Sequence, residues 1–247
     1  MATRARRRWP LFVAAGCASV LLVAGGGVAW LFLFGPLRDS SDWSHVTSIE
    51  RDARYQDPAL LERAWALPGA APYRRGFESQ GNPSFCGPTS LANVSRSLGR
   101  PLGQRAALEG TSIEPTFGLL IGGITLADLA SVARVRLGRD HAIRVVRPRN
   151  PSELRLWLVR AAERDVRVIA NFHRGPLFAR GGGHHSPLGG LLEPEGLAFV
   201  LDTNANYRPW LAPIERLFAA IDTLDEGAGT RRGLLVVTRA GGGTMPR

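Results

Sequence analysis

The chain has 247 residues, 45% of them hydrophobic, which suits one domain with a full core plus an appendage. Its formal charge of +10 comes entirely from arginine, because the sequence contains no lysine. Beyond four arginines in the first eight residues the basic side chains are scattered without an aromatic-interleaved stripe, which argues against a nucleic-acid interface. Only two cysteines are present, too few for a disulfide scaffold.

Taken in chain order, Arg4, Arg6, Arg7 and Arg8 precede an uncharged run from Leu11 to Phe34. That run is long enough for a helix to cross a hydrocarbon core of ~30 Å. It predicts a basic cytoplasmic segment at 1–9, an uncleaved transmembrane signal anchor at 10–35, and everything after it on the extracytoplasmic, periplasmic side. A cleaved signal peptide and a lipoprotein box at Ala14-Ala15-Gly16-Cys17 are the rivals; the run continues past Cys17 and is long for a signal core. Residues 36–71 read as a juxtamembrane connector, with a short helix opened by Asp57-Pro58 and running through Trp65. The compact domain is predicted at 72–240.

The next segment, from Gln80 to Val94, reads QGNPSFCGPTSLANV. Pro83 and Gly87 break what precedes, Pro88 suits a first helical turn, and Leu91, Val94 and Leu98 recur on one helical face. Cys86 therefore starts a helix. A thiol there feels free N–H groups and the positive end of the dipole, both of which favour the thiolate. With Cys17 inside the apolar run, Cys86 has no disulfide partner in its own domain. Gln80, six residues upstream, places an amide donor near the same sulfur, as an oxyanion requires.

A helix is predicted over Leu126 to Leu137 behind Thr125, and a strand over Ala142 to Val146. Asn150-Pro151-Ser152-Glu153 is a helix start, with Leu154, Trp157, Leu158 and Ala161 as its apolar face. Arg167 to Phe172 reads as a buried strand. Ser186 to Leu192 and Leu197 to Leu201 read as a hairpin turned at Glu193-Pro194-Glu195-Gly196, which brings His184 and Asp202 to the same open end. A helix over Pro213 to Leu224 and a strand over Leu234 to Thr238 follow, then a tail at 241–247 expected to be disordered.

Cys86, His184 and Asp202 thus have the residue types and order of a nucleophile, a base and an orienting carboxylate. Glycines 181 to 183 leave room for substrate or for close approach of the cysteine helix. Adjacent strand residues face opposite ways, so with His184 read as the base His185 is expected to point away from the thiol, and the two are not expected to share a metal ion. No protein-bound metal is predicted.

The Gln80–Val94 segment, GHHSPLGG and FVLDTN together resemble phytochelatin synthase, a clan of papain-like cysteine peptidases, over roughly Pro72 to Val237. The resemblance implies a mixed α/β (α+β) papain-like fold, to which the uncharged run at 11–34 adds an N-terminal transmembrane helix. It implies that the cysteine cleaves the Cys–Gly bond of glutathione, holds a γ-glutamylcysteinyl thioester and passes it to water or to a second glutathione. By motif, Cys86 is then the nucleophile, His184 the base, Asp202 its carboxylate and Gln80 the oxyanion donor. Asn171, Arg174, Gly183 and Arg208 are implied as substrate-binding. Heavy-metal ions such as cadmium or zinc would enter as activators or as thiolate complexes of the substrate. The chain departs from the family pattern at His185, where an aromatic or aliphatic residue is usual, and at Ala205, where many members carry arginine. It also lacks the cysteine-rich C-terminal domain of the plant type, which implies hydrolysis over polymer synthesis. Two other readings remain open: a papain-like peptidase that trims leader peptides, and a non-enzymatic thiol- or metal-binding sensor.

Overall fold

The computed structural model describes residues 42–241. The predicted basic segment, the anchor at 10–35, the first residues of the connector and nearly all of the tail lie outside the described residues. No helix among the described residues is long and apolar enough to cross a membrane.

The helices are α1 (Pro58–Trp65), α2 (Cys86–Ser97), α3 (Leu126–Leu137), α4 (Pro151–Ala161), α5 (Gly175–Phe178) and α6 (Ile214–Ile221). Their starts follow the caps legible in the sequence. Asp57, Thr125 and Asn150 each accept a backbone N–H of the first turn, from Leu60, Asp128 and Glu153. The strands are β1 (His141–Val146), β2 (Val166–His173), β3 (Gly183–Leu192), β4 (Leu197–Val200), β5 (Trp210–Pro213), β6 (Leu224–Asp225), β7 (Thr230–Arg231) and β8 (Gly233–Arg239).

Six strands form one antiparallel sheet in the order β1-β8-β2-β3-β4-β5, and β6 and β7 pair as a separate ribbon. The central strands are buried along nearly their whole length on both faces, and β2 and β3 bury polar side chains with the apolar ones, among them Asn171, His184, His185 and Ser186. Val168, Ala170 and Phe172 face a core completed by α4, α5 and α6. Ile169, Leu235 and Val237 face a second core with α2 and α3. One helix layer on each side leaves the strand ends as the place where side chains from several elements converge.

The connector expectation is corrected here. Ile49, Tyr55, Ala64 and Ala70 are buried in the two cores, and the compact unit begins at Asp42 rather than Pro72. The segment carries too many apolar side chains to remain a spacer once a sheet face is available to cover them. Strand β5 and the β6–β7 ribbon were not predicted. The former is four residues long and the latter two pairs, below the length at which alternation is readable.

Candidate active site

The site is built where α2 begins. No side chain caps this helix, which leaves amides of its first turn open to a ligand. The helix is buried on nearly all sides as far as Ser95, not on one face as the Leu91–Val94–Leu98 pattern predicted. Its polar residues make this tolerable because they bond outward. Ser90 Oγ donates to the His185 carbonyl at 3.0 Å, Asn93 bridges the backbone of Glu78, and Thr89 Oγ1 donates to Gln104 Oε1. Gly87 sits so close to the segment that leads into α3 that a Cβ there would lie 2.3 Å from Ile124 Cγ2. These contacts seat the Cys86 end of α2 on the first residues of β3.

His184 and Asp202 come to the same end by the predicted hairpin. Across the β2–β3 pair, His184 lies opposite Phe172 and His185 opposite Asn171. His184 Nε2 is 3.1 Å from Asp202 Oδ1, and the ring stands edge-on to Phe172. That leaves its Nδ1 for the thiol. Asp202 is fully buried and saturated with donors. Oδ1 accepts from Arg174 Nη2 at 2.8 Å and from the Asn204 amide at 2.9 Å, and Oδ2 accepts from Trp210 Nε1 at 2.8 Å.

Burial raises the Asp202 carboxyl, but the charges and hydrogen bonds of His184 and Arg174 hold it well below the usual carboxylate range. Burial lowers His184, yet Asp202 and a hydrogen bond with Cys86 raise it overall, against the opposing charge of Arg174. For Cys86 burial pushes up, and the imidazoles of His184 and then His185 bring the thiol well below its ordinary value. The arrangement favours a thiolate beside an imidazolium, an activated nucleophile with its proton held next to it.

Both histidines therefore meet the sulfur; His185 Nδ1 lies 3.9 Å from Sγ. The expectation that opposite facing would keep His185 away is corrected. The pleat separates the other contacts of the two rings, but the thiol hangs over the start of the strand, where both can reach it.

The remaining predicted residues sort by burial. Gln80 is tied to the segment after Asp202: its amide donates to the Thr203 carbonyl at 2.7 Å, and its Oε1 accepts from Thr203 Oγ1 at 3.3 Å. Its Nε2 donates to the carbonyls of Asn82 and Pro83, both at 3.0 Å, so its donors are engaged within its own loop. Arg174 is buried against Asp202 and lies over the Tyr207 ring, 3.8 Å from its centroid, rather than facing solvent. Arg208 is exposed at a left-handed position, φ +52°. Gly183 is exposed beside the histidines. The glycines do not receive the cysteine helix; a Cβ on Gly183 would lie 2.6 Å from Arg232 Nη1.

Asn171 is fully buried and joins a pair that sequence reasoning missed. Its Nδ2 donates to Asp225 Oδ2 at 3.0 Å and its Oδ1 accepts from Arg232 Nη1 at 2.9 Å; Arg232 and Asp225 are 3.3 Å apart. Asp225 comes from the β6–β7 ribbon and Arg232 from the residue after it, so no local pattern marks them. Trp210, Thr203 and Ser90 were missed as well. Only Ser90, one turn after Cys86 on the same helical face, carried a signal.

A family model described as phytochelatin synthase matches residues 55–234. The chain is similar to glutathione gamma-glutamylcysteinyltransferase 1 of Triticum aestivum, 31% identical over 66% of this chain and 34% of that protein. It is also similar to glutathione gamma-glutamylcysteinyltransferase 2 of Arabidopsis thaliana, 28% identical over 66% of this chain and 38% of that one. The chain thus spans little more than a third of these curated relatives. Among solved structures it is similar to a putative C39-like peptidase from Bacillus anthracis, at 13% identity and a TM-score of 0.46, covering 68% of this chain and 96% of that one.

Proposed function

Because this chain belongs to the phytochelatin synthase family, we propose that it is a cysteine-dependent acyltransferase that cleaves glutathione at its Cys–Gly bond. The observation that carries this reading is the thiol at an uncapped helix start, beside two buried imidazoles of which one, His184, is oriented by a four-donor buried carboxylate. A cysteine-bearing helix seated on an antiparallel sheet that carries histidine and aspartate is the papain-like arrangement.

In the reaction, the Cys86 thiolate attacks the carbonyl carbon of the Cys–Gly amide, and the electron pair of the carbonyl moves to its oxygen. Open amides at the start of α2 are placed to receive that oxygen. Gln80 joins them only by releasing a loop carbonyl. The His184 imidazolium gives its proton to the departing nitrogen, the C–N bond breaks, glycine leaves, and a γ-glutamylcysteinyl thioester remains on Cys86. Neutral His184 then takes a proton from water, or from the amine of a second glutathione, as it attacks. The sulfur leaves as thiolate and the product is γ-glutamylcysteine or a longer peptide. Asp202 keeps the ring in the tautomer that both steps need.

Asn171, Gly183, Asp225 and Arg232 border the same strand ends. An anion and a cation side by side there suit the amino and carboxylate groups at the γ-glutamyl end of the substrate. Water is the favoured acceptor, since Ala205 offers no charge near Asp202 to hold a second glutathione. Cadmium or zinc enters as a glutathione thiolate complex. The domain works tethered on the extracytoplasmic side, on the support of the uncharged run behind the N-terminal arginines.

Product analysis by mass tests this. The full chain with millimolar glutathione, with and without cadmium, is expected to release glycine and γ-glutamylcysteine, and Cys86→Ala to release neither. Equal turnover by folded Cys86→Ala defeats the enzymatic reading. Oligomers as the main product defeat the choice of water.

A further inference from the structure

His185 is 3% exposed, its carbonyl is held by Ser90 Oγ at 3.0 Å and by Thr203 Oγ1 at 3.3 Å, and its Nδ1 faces Cys86 Sγ at 3.9 Å. Its Nε2 is buried and meets no hydrogen-bond partner among the described residues. A proton on Nε2 bonds to nothing among the described residues, whereas a proton on Nδ1 points at sulfur. A thiolate only accepts, so the tautomer with hydrogen on Nδ1 is the one that makes a bond. Other donors do not replace it, because the Gln80 Nε2 is engaged by Asn82 and Pro83.

We propose that His185 is a second catalytic imidazole, an Nδ1–H donor to the Cys86 sulfur that stays in place when His184 gives up its proton. The proposal rests on the reading of Cys86 as the nucleophile. The two rings divide the work. His184 moves a proton and is held by Asp202. His185 moves none; it stabilises the negative charge on sulfur before attack and again when sulfur leaves the thioester. The titratable and charged groups around that sulfur are His184 and His185 on β3, Asp202 beyond β4 and Arg174 beyond β2. Only the two imidazoles bond to it.

The test compares the full chain with His185→Phe, which keeps a ring without a donor, and His185→Asn, whose amide nitrogen can occupy the place of Nδ1. The rate of iodoacetamide alkylation is followed against pH on the Cys86 peptide by mass, which separates it from Cys17. His185→Phe is expected to move the midpoint up by about one pH unit, the loss of about a tenfold preference for thiolate. It should also lower kcat for glutathione at least ~10-fold with KM little changed. His185→Asn should recover most of both. Coincident profiles and equal turnover for His185→Phe and the parent overturn the proposal, as does His185→Asn no better than His185→Phe, which would mark a packing role. Should His185→Phe fail to fold, His185→Asn against His185→Ala makes the same comparison. If the parent does not cleave glutathione while the alkylation profile still shifts, the substrate reading fails and the role of His185 stands.

Discussion

Asp202 concentrates the energetics of the site. It accepts from Arg174, His184, Trp210 and a backbone amide while fully buried, so each donor that is removed leaves a charged acceptor short inside the protein. Trp210→Phe keeps an aromatic ring, deletes the donor and leaves the space of the missing pyrrole part unfilled. It is expected to cost about 1–3 kcal/mol of stability and to slow turnover, read by urea unfolding and by glycine release; a loss below ~0.5 kcal/mol would mean that this bond does not hold the carboxylate. Asp202→Asn is the stronger change, because Arg174 then keeps a buried charge without its partner, at about 3–5 kcal/mol. That cost depends on pH with a definite sign. The Asp202 carboxyl is depressed in the fold, so the stability it contributes is present above the ordinary carboxyl value of about 4 and is lost as pH falls through the folded value. His184 is raised, so its contribution is complete below about 6.5 and is lost as pH rises through its folded value. The stability gap between parent and Asp202→Asn should therefore narrow on acidification below about pH 4. A gap that stays constant down to pH 3 would refute the assignment of the shift.

At the scale of elements, the position of the Cys86 thiol depends on how closely α2 approaches its neighbours. Gly87 is the point of contact: a methyl group there would overlap the Ile124 side chain, a β-branched residue with little freedom to move. Gly87→Ala is expected to destabilise by about 1–3 kcal/mol and to disturb the thiol, slowing alkylation of Cys86. Ile124→Ala alone also destabilises, by opening a cavity. Combined with Gly87→Ala, it should recover part of the loss, giving a coupling energy of opposite sign to the single effects. Strict additivity in thermal unfolding would show that the two sites do not touch. The same close approach accounts for the polar residues of α2. A helix buried nearly all round has no solvent face, so Thr89, Ser90 and Asn93 face other segments and fasten the loop at Glu78, the Gln104 segment and β3.

At the scale of the whole molecule, residues 42–71 belong to the fold. Tyr55 stacks on Trp210 with ring centroids 6.4 Å apart, and the Leu211 amide donates to the Tyr55 carbonyl at 2.8 Å, so this segment supports the strand whose tryptophan holds Asp202. A chain begun at Pro72, where the sequence alone placed the boundary, is expected to lose fixed packing around that tryptophan. Near-ultraviolet circular dichroism of polypeptides begun at Asp42 and at Pro72 decides this; a sharp native spectrum from the shorter one would restore the connector as a spacer.

Local chemistry is legible without a structure. Asp57, Thr125 and Asn150 start their helices because an N-cap bond joins residues three apart, and the spacing is written in the chain. The hairpin that brings His184 and Asp202 together is legible for the same reason, since a short turn sets which residues share an end. The Cys86 helix start follows from Pro88 and the apolar spacing behind it. Contacts between distant segments leave no such mark. Asp225 and Arg232 reach Asn171 through a ribbon too short to show a period, and Trp210 finds Asp202 from an edge strand of four residues. Arg174 carries the charge of a substrate ligand, but burial gave it to Asp202. His185 was assigned to the far side of the strand by a rule about alternating faces, which governs neighbours within the sheet and not a thiol suspended over the strand's first residues. The chain by itself determined on which elements Cys86, His184 and Asp202 sit; only tertiary packing decided which side chains are desolvated together, because burial is a property of the assembled layers and not of any segment.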